Sequence, residues 1–566
     1  AITPLDIPQP PVPYLEYGLD RVLFNPGIYQ LKDPVSRVYN FDPYLEKIMP
    51  AREFDFNALK EYKTSSQDKA LSAIAQQQDK RYIGSTSSMT STLAHFHYLI
   101  SNWRPLNHSM ISRGFSKDTT KQLTEINKAP NAIFLRWKNG CYAIDADKEY
   151  DSPNVLMLLG KSMELLLTLP TDEYEKYRKS DPRQVSEESR TAPEAYQYTT
   201  MGDFLMRSQL DAYDPRLPGN GTFDLKTRAV VSVRMKANDH EDMTGYEIYG
   251  LQGHYGSYER EFYDMTRTTM LKYMLQARMG RMNGIFVAYH NVERIFGFQY
   301  VPISEMDRVL HGQTDACLGD QEFKASLKML NDVLDKATAR FPEQSLRIHF
   351  ETQEPKETGE GTAITAMNIF AEPMSEDEID TIQSKSKEKI QEYERTILGK
   401  DTNEDVTTAT SEEAIADDAQ KIIEATGSAN VVDEQAAMDP TEDADTEKAS
   451  GLRPLFYATI ICQSEVNGDV PQDRPTNLTV DDKWDVKYLF KEYESSRKAW
   501  SKYEDCKARR KFAFDRDAEE EDAGDPESDA KAQKIDHYMR FLKSMSDKGR
   551  QIRSKIDELE AGKEIV

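Results

Sequence analysis

Polar and apolar positions alternate most regularly over residues 222–234. Phe223, Leu225, Thr227, Ala229, Val231 and Val233 fall on one side; Asp224, Lys226, Arg228, Ser232 and Arg234 fall on the other, with Val230 the exception. A period of two predicts a strand on which Asp224 and Lys226 project from one face, about 7 Å apart. A shorter run, 205–211, predicts a second strand. It is joined to the first through Asp214-Pro215 and the turn Pro218-Gly219-Asn220-Gly221, so Asp211 is expected at a strand end beside Asp224. Upstream, residues 155–167 are apolar nearly all round apart from Lys161, Ser162 and Glu164, the pattern of a buried helix. Residues 131–137 and 141–144 read as a hairpin closed by Lys138-Asn139-Gly140, 259–282 as one long helix, and 285–289 and 295–301 as strands. Helix, strands, helix, strands in that order predicts an α/β fold, with a mixed central sheet flanked by helices.

Outside that core the pattern weakens. Residues 1–80 read as an extended N-terminal arm, Pro-rich at its start, with turns and short helices such as 53–62. The core occupies 81–372, followed by an acidic, largely disordered linker at 373–450. The run 455–462 is too apolar for a tail and too short to fold alone, so it is expected to return to the core beside a strand at 362–370. Helices at 484–514 and 531–559 close the chain, with the geometry of a helical hairpin that docks a partner or the body.

The candidate chemistry lies in Glu164, Asp211, Asp224 and Lys226. An ionised Glu in an apolar helix is costly unless something pairs with it. Gly160 sits one turn before it on the same face, leaving room for a close approach. Each of these residues alone reads as a solvent edge or a surface ion pair. Together, three carboxylates and a lysine suit a hard divalent cation and a water poised on phosphate. The same reading makes Asp211, Asp224, the Leu225 carbonyl and Glu164 ligands of Mg²⁺ or Mn²⁺, with Lys226 positioning the nucleophile or stabilising the pentavalent phosphorus. In the 259–282 helix, Arg267, Lys272, Gln276 and Arg278 are candidate RNA contacts; Arg267 and Arg278 are eleven apart, close to three turns, and share a face.

These residues carry a resemblance. Gly160-x-x-x-Glu164, then Asp211, then Asp224-x-Lys226-Thr227 resembles the PD-(D/E)xK nuclease superfamily, in particular its RecB-like exonuclease branch. Tyr82-Ile83-Gly84-Ser85-Thr86-Ser87-Ser88 is similar to the Ser-rich entry to the first helix of such enzymes. The later Gln-x-x-x-Tyr is half present: Gln276 stands, but Gly280 takes the Tyr place. A wider similarity covers most of 14–372, through Phe24-Asn25-Pro26-Gly27-Ile28-Tyr29, Leu99-Ile100-Ser101-Asn102-Trp103-Arg104, Asp264-Met265-Thr266-Arg267 and residues 282–291. It resembles the fungal mitochondrial "Pet" family of RNA 5′-end processing. That resemblance implies a metal-dependent 5′-to-3′ exoribonuclease that trims and degrades single-stranded RNA to 5′-phosphate products. It also implies the mitochondrial matrix or the matrix side of the inner membrane, peripheral membrane association, and a link to the mitochondrial RNA polymerase. A non-catalytic RNA-binding regulator of RNA processing and of that polymerase, and a scaffold recruiting other proteins, are the alternatives.

Charge first argues against a nucleic-acid partner, since the net value is −25. However, residues 401–450 contribute −13 and 515–529 contribute −8, leaving −4 over the remaining 501 residues. The acidic runs read as solvated stretches, and the folded part is close to neutral. The four cysteines are dispersed without a Cys-x-x-Cys pair, which fits a reducing compartment and excludes a conventional zinc finger. No apolar run reaches the roughly 18 residues that span a bilayer, so no transmembrane segment is expected. His95 and His97 are expected in structural roles, and Trp103 in the core.

Overall fold

A computed structural model describes residues 2–60, 62–116, 119–152, 154–356, 364–398, 452–514 and 526–562. The fold is mixed α/β, but its strands form two sheets rather than one. The larger has ten strands and runs, in spatial order, through Thr3–Pro4, Tyr196–Met201, Phe204–Gln209, Tyr82–Ser85, Cys141–Ala146, Asn131–Lys138, Leu346–Lys356, Ile364–Pro373, Phe456–Val466 and Trp484–Tyr493. The smaller has five: Ile28–Gln30, Ile295–Pro302, Gly284–His290, Thr222–Ala229 and Ala212–Tyr213. The chain leaves the first sheet after Gln209 and enters the second at Ala212. Asp211 therefore stands at the crossing.

Helices fill the space between the sheets. Thr86–Ser101 is buried along nearly its whole length and lies across the large sheet; Met270–Met279 packs between it and Gly284–His290. Ile133, Leu135, Ile144 and Met206 of the large sheet share one core with Ile285, Val287 and Tyr289 of the small one. The outer face of the small sheet buries Phe223, Leu225, Phe286 and Phe298 beneath Val155–Thr168 and the N-terminal arm. The arm is held through its own strand, Ile28–Gln30, which pairs antiparallel with Ile295–Pro302. Gly297 permits that pairing, because a Cβ there would come 2.5 Å from the Tyr29 carbonyl oxygen and 2.6 Å from the Tyr258 hydroxyl. Gly297→Val is expected to pry the arm off and cost about 2 kcal/mol of stability through overpacking, read as a lower urea midpoint; an unchanged midpoint would mean the arm is not anchored there.

Several expected elements differ. Residues 53–62 do not form a helix: short 3-10 turns cover Ala51–Glu53 and Phe56–Ala58, and Phe54 and Phe56 turn inward against each other. The long helix expected at 259–282 is two, Tyr258–Thr268 and Met270–Met279, broken at Thr269. The hydroxyls of Thr266 and Thr268 bond back to the Tyr263 and Asp264 carbonyls, a habit that bends helices. The 222–234 strand stops at Ala229 and turns into Val231–Arg234. Within 484–514, Trp484–Tyr493 is a strand and the helix starts only at Arg497. Trp484, Val486 and Phe490 recur at even spacing and pack on the core, a period-two pattern. The apolar run at 455–462 belongs to Phe456–Val466, which pairs antiparallel with Ile364–Pro373.

The two terminal helices do not form a hairpin with each other. Arg497–Phe514 lies on the large sheet, where Tyr503 stacks on Phe370 and donates to Glu372 at 2.8 Å. Pro526–Glu560 instead lies against the Val231–Met243 region through Tyr538 and Leu542. The expected linker at 373–450 begins later than predicted: Glu376–Leu398 is a helix docked on the body by the Arg136–Glu376 ion pair and by Gln383 donating to the Ala146 carbonyl at 2.9 Å. The remainder of that acidic stretch, like most of 515–529, lies outside the described residues. All four cysteines are free thiols. Among the described residues no helix is long and apolar enough to cross a membrane.

Candidate active site

Thr222–Ala229 runs parallel to Gly284–His290, with Asp224 opposite Ile285 and Lys226 opposite Val287. The polar side of this strand therefore faces the space between the two sheets, not solvent. Asp224 and Lys226 are only 6 % and 8 % exposed. Burial of both is sustained by pairing: Lys226 Nζ lies 3.0 Å from Asp224 Oδ2 and over the Tyr273 ring at 5.1 Å.

Asp211 is drawn into this pair by the short antiparallel strand Ala212–Tyr213, whose Ala212 lies opposite Phe223. Its Oδ2 accepts from the Leu225 backbone N–H at 3.2 Å. Burial, the Asp224 charge and the hydrogen bond to Asp224 push the Asp211 carboxyl well above its ordinary range, with Glu164 adding to the effect. Asp224 moves the other way: burial would raise it, but the Lys226 ammonium and the hydrogen bond from Asp211 outweigh that and lower it. The two carboxyls are thus driven apart, Asp211 upward and Asp224 downward, by their mutual contact and by the lysine. Two buried acidic side chains in hydrogen-bond contact, with a third carboxylate acting on them, mark a place where positive charge is favoured, so this donor set fits a divalent cation.

Glu164 reaches the site from Val155–Thr168, which starts at the Asn154 cap and packs on the Asp224 strand. Its carboxylate lies 2.9 Å from Lys161 Nζ. Glu164, Asp211 and Asp224 do not come within 4.8 Å of one another as a set. A Cβ at Gly160 would meet nothing within 4 Å, so open space flanks this helix where the sequence suggested a close approach.

Sequence reasoning missed two contributors. Burial would lower the Lys161 ammonium, but Glu164, Asp211 and Glu194 raise it on balance, so it stays charged beside the acidic set. Its spacing of three from Glu164 on a helix was the available signal. Tyr273, whose ring faces Lys226, had none.

The cationic helix face is corrected by burial. Arg267 is 4 % exposed and donates to the Gln122 carbonyl at 3.0 Å. Arg278 is 6 % exposed and pairs with Asp307 at 2.8 Å and Asp320 at 3.1 Å. Neither offers a guanidinium to a phosphate. Lys272 and Gln276 remain half-buried, and Gln276 Oε1 has no hydrogen-bond partner. At Gly280, in the expected Tyr place, a Cβ would come 2.7 Å from the end of the Met282 side chain and 3.1 Å from Ser208 Cβ, so a side chain there needs both to shift.

A second cluster, His97, His311 and Glu322, brings three potential ligand atoms within 4.8 Å. Arg104 already takes both Glu322 oxygens, at 2.8 and 3.1 Å, and Asp307 engages His311 Nδ1 at 2.9 Å. Burial would raise the Glu322 carboxyl, yet Arg104, His311 and His97 hold it well below its usual range. This is an ion-pair network of the core. His95 bonds to Thr352 and Ala129, and Trp103 stacks on Tyr98 at 4.5 Å, so both have structural partners.

Comparison with known proteins follows the same residues. Residues 62–335 match the family model described as "Mitochondrial protein Pet127". The chain is 38 % identical over 345 residues to the "mRNA degradation protein pet127, mitochondrial" of Schizosaccharomyces pombe, covering 60 % of this chain and 65 % of that protein. It is 39 % identical over 364 residues to the "Putative mitochondrial translation system component PET127" of Saccharomyces cerevisiae, covering 61 % of this chain and 42 % of that protein. The chain thus spans less than two thirds of either relative. Among solved structures, Scheffersomyces stipitis Rai1 in complex with (3'-NADP)+ and calcium ion aligns over 63 % of this chain and 89 % of its own, at 10 % identity and a TM-score of 0.29, too low to support any inference. The stretch that carries Glu164, Asp211, Asp224 and Lys226, residues 62–335, is the part of the chain that matches the Pet127 family.

Proposed function

We propose that this chain is a metal-dependent ribonuclease that hydrolyses RNA phosphodiesters to 5′-phosphate products, acting 5′-to-3′ in trimming and degradation of mitochondrial RNA. The observation that carries the reading is the buried Asp211–Asp224–Lys226 set at the crossing between the sheets, with Lys226 Nζ 3.0 Å from Asp224 and Asp211 bonded to the Leu225 N–H. Asp211, Asp224, the Leu225 carbonyl and Glu164 would hold Mg²⁺ or Mn²⁺. A cation there supplies positive charge against the phosphate and makes water more acidic. Lys226, fixed by Asp224 and Tyr273, would place its ammonium charge beside the attacking water or a phosphate oxygen. Lys161 adds a second charge from the Glu164 side. The packed walls around Asp224 limit water, which strengthens each of these electrostatic terms.

RNA as substrate, and the mitochondrion as location, draw support from the names of the relatives, one of which is called an mRNA degradation protein. The matrix or the matrix side of the inner membrane, peripheral membrane association and a link to the mitochondrial RNA polymerase extend that reading. The test is cleavage of 5′-labelled and 3′-labelled single-stranded RNA in Mg²⁺ or Mn²⁺ by wild type and Lys226→Ala. Wild type is expected to cut and the variant to lose about 10²-fold or more, with the two labels giving the direction. If neither protein cuts while both bind RNA, the chain is a non-catalytic RNA-binding regulator.

A further inference from the structure

A cavity of about 460 Å³ opens beside the Ser-rich start of Thr86–Ser101, within the size range of small-ligand sites. Its inner wall includes Tyr62, Ser87, Ser91 and Lys272; its outer wall is built by Glu376–Leu398 and Arg497–Phe514. Both outer helices lie beyond the stretch that matches the family. None of the proposed catalytic residues lines the cavity, but the two are on one edge of the large sheet. Tyr82–Ser85 runs parallel to both Cys141–Ala146 and Phe204–Gln209, so all three strands end on the same side. Ser87 and Asp147 of the cavity follow the first two strands, and Asp211 follows the third. Lys272 of the cavity and Tyr273, which faces Lys226, are neighbours on one helix.

The polar lining is unevenly satisfied. Arg136 is taken by Glu376 and Asp380, while Arg510 and Arg347 take Asp147. Those pairs are structural. Lys148, Lys272 and Lys387 also line the cavity; among the described residues none of them forms a close ion pair, though the Lys148 charge acts on buried Asp145 of the same wall. Lys148 instead sits over the Tyr62 ring at 5.5 Å. Three ammonium groups, serine hydroxyls and aromatic rings in one concavity are the complement of a nucleotide: the cations and hydroxyls suit phosphate oxygens, the rings suit a base.

We infer that this cavity binds a nucleotide through a terminal phosphate monoester, held by Lys272, Lys387 and serine hydroxyls of its wall. The inference rests on the ribonuclease reading in taking that nucleotide to be the 5′ end of the RNA being degraded; a free mononucleotide offers the same chemistry. The peripheral helices then act as the back wall of the end-binding site, and the strand runs from them along the sheet edge to Asp211 and Asp224.

The test is fluorescence anisotropy of the full chain in EDTA, so that nothing is cut, with 3′-labelled single-stranded RNA carrying either a 5′-phosphate or a 5′-hydroxyl. Wild type is expected to favour the phosphorylated end about tenfold, the size of one or two charge-assisted hydrogen bonds. Lys272→Ala and the exposed Lys387→Ala are each expected to erode that preference, and adenosine monophosphate to compete for it. Equal binding of both RNAs, with no lysine-dependent binding of adenosine monophosphate, would overturn the inference. So would a preference that survives both substitutions. Lysine-dependent binding of adenosine monophosphate without any RNA-end preference would keep the pocket and assign it to a free nucleotide. Because no metal is present, these results stand apart from catalysis: a preserved end preference with no Mg²⁺-dependent cleavage would sink the nuclease reading alone.

Discussion

Asp224→Asn is expected to lower RNA cleavage on the order of 10³-fold while leaving the fold intact. The substitution removes the ionised member of the pair, and with it the anion that fixes Lys226 at 3.0 Å. The cost to stability is limited by Asp211. In the native chain burial and the Asp224 charge hold the Asp211 carboxyl up. With an amide at position 224 it can ionise, accept from the new amide N–H, and stand near the lysine charge. Side-chain volume is nearly unchanged, so the packing between the sheets is kept. Cleavage rates beside a urea unfolding curve check both halves. Undiminished cleavage would remove Asp224 from the chemistry, and a collapse of stability would mean the pair is primarily structural.

Arg234→Met has the largest expected effect on stability. Arg234 is fully buried, and its guanidinium pairs with Glu261 at 2.7 Å and Asp264 at 2.5 Å, both equally buried. It also donates to the Ala229 carbonyl, the last residue of the Asp224 strand, while Glu261 accepts from the Val231 N–H at 3.0 Å. Removing one partner from such a network leaves an unpaired buried charge and costs about 3–5 kcal/mol. Because the network fixes the end of the strand, cleavage should fall with stability. The urea midpoint is the measurement, and a loss below about 1 kcal/mol would show that Arg260 and Arg228 suffice to neutralise the cluster. The pH dependence has a definite sign. Burial would raise the Asp264 carboxyl, but Arg260, Arg234 and Arg228 outweigh it and lower it to about 2. Its contribution is therefore present above the ordinary Asp value and is lost as pH falls toward about 2.

The candidate site was legible in the sequence because it breaks local rules. Glu164 stands out in an apolar helix, and Asp224 and Lys226 mark one side of an alternating strand. That this polar side faces inward could not be read from alternation, which gives period and not direction; it follows from the second sheet. One sheet was expected because Leu210 and Asp211 look like the end of a strand, whereas the chain changes sheets there. Arg267 and Arg278 read as RNA contacts because cationic side chains sharing a helix face usually stand toward solvent. Their partners, the Gln122 carbonyl, Asp307 and Asp320, come from distant stretches that no local pattern connects. Trp484–Tyr493 was assigned to a helix although its alternation was visible, and only the pairing with Phe456–Val466 decides it.

The central claim is that Asp211 and Asp224 hold a divalent cation. It is tested most directly by Mn²⁺ binding, followed by electron paramagnetic resonance, in wild type and in a chain carrying both Asp211→Asn and Asp224→Asn. The comparison matters because a chain with 97 acidic residues gathers weakly held ions elsewhere. The account predicts at least one Mn²⁺ bound by wild type more tightly than that background and absent from the double variant. Identical binding curves for the two proteins would contradict it.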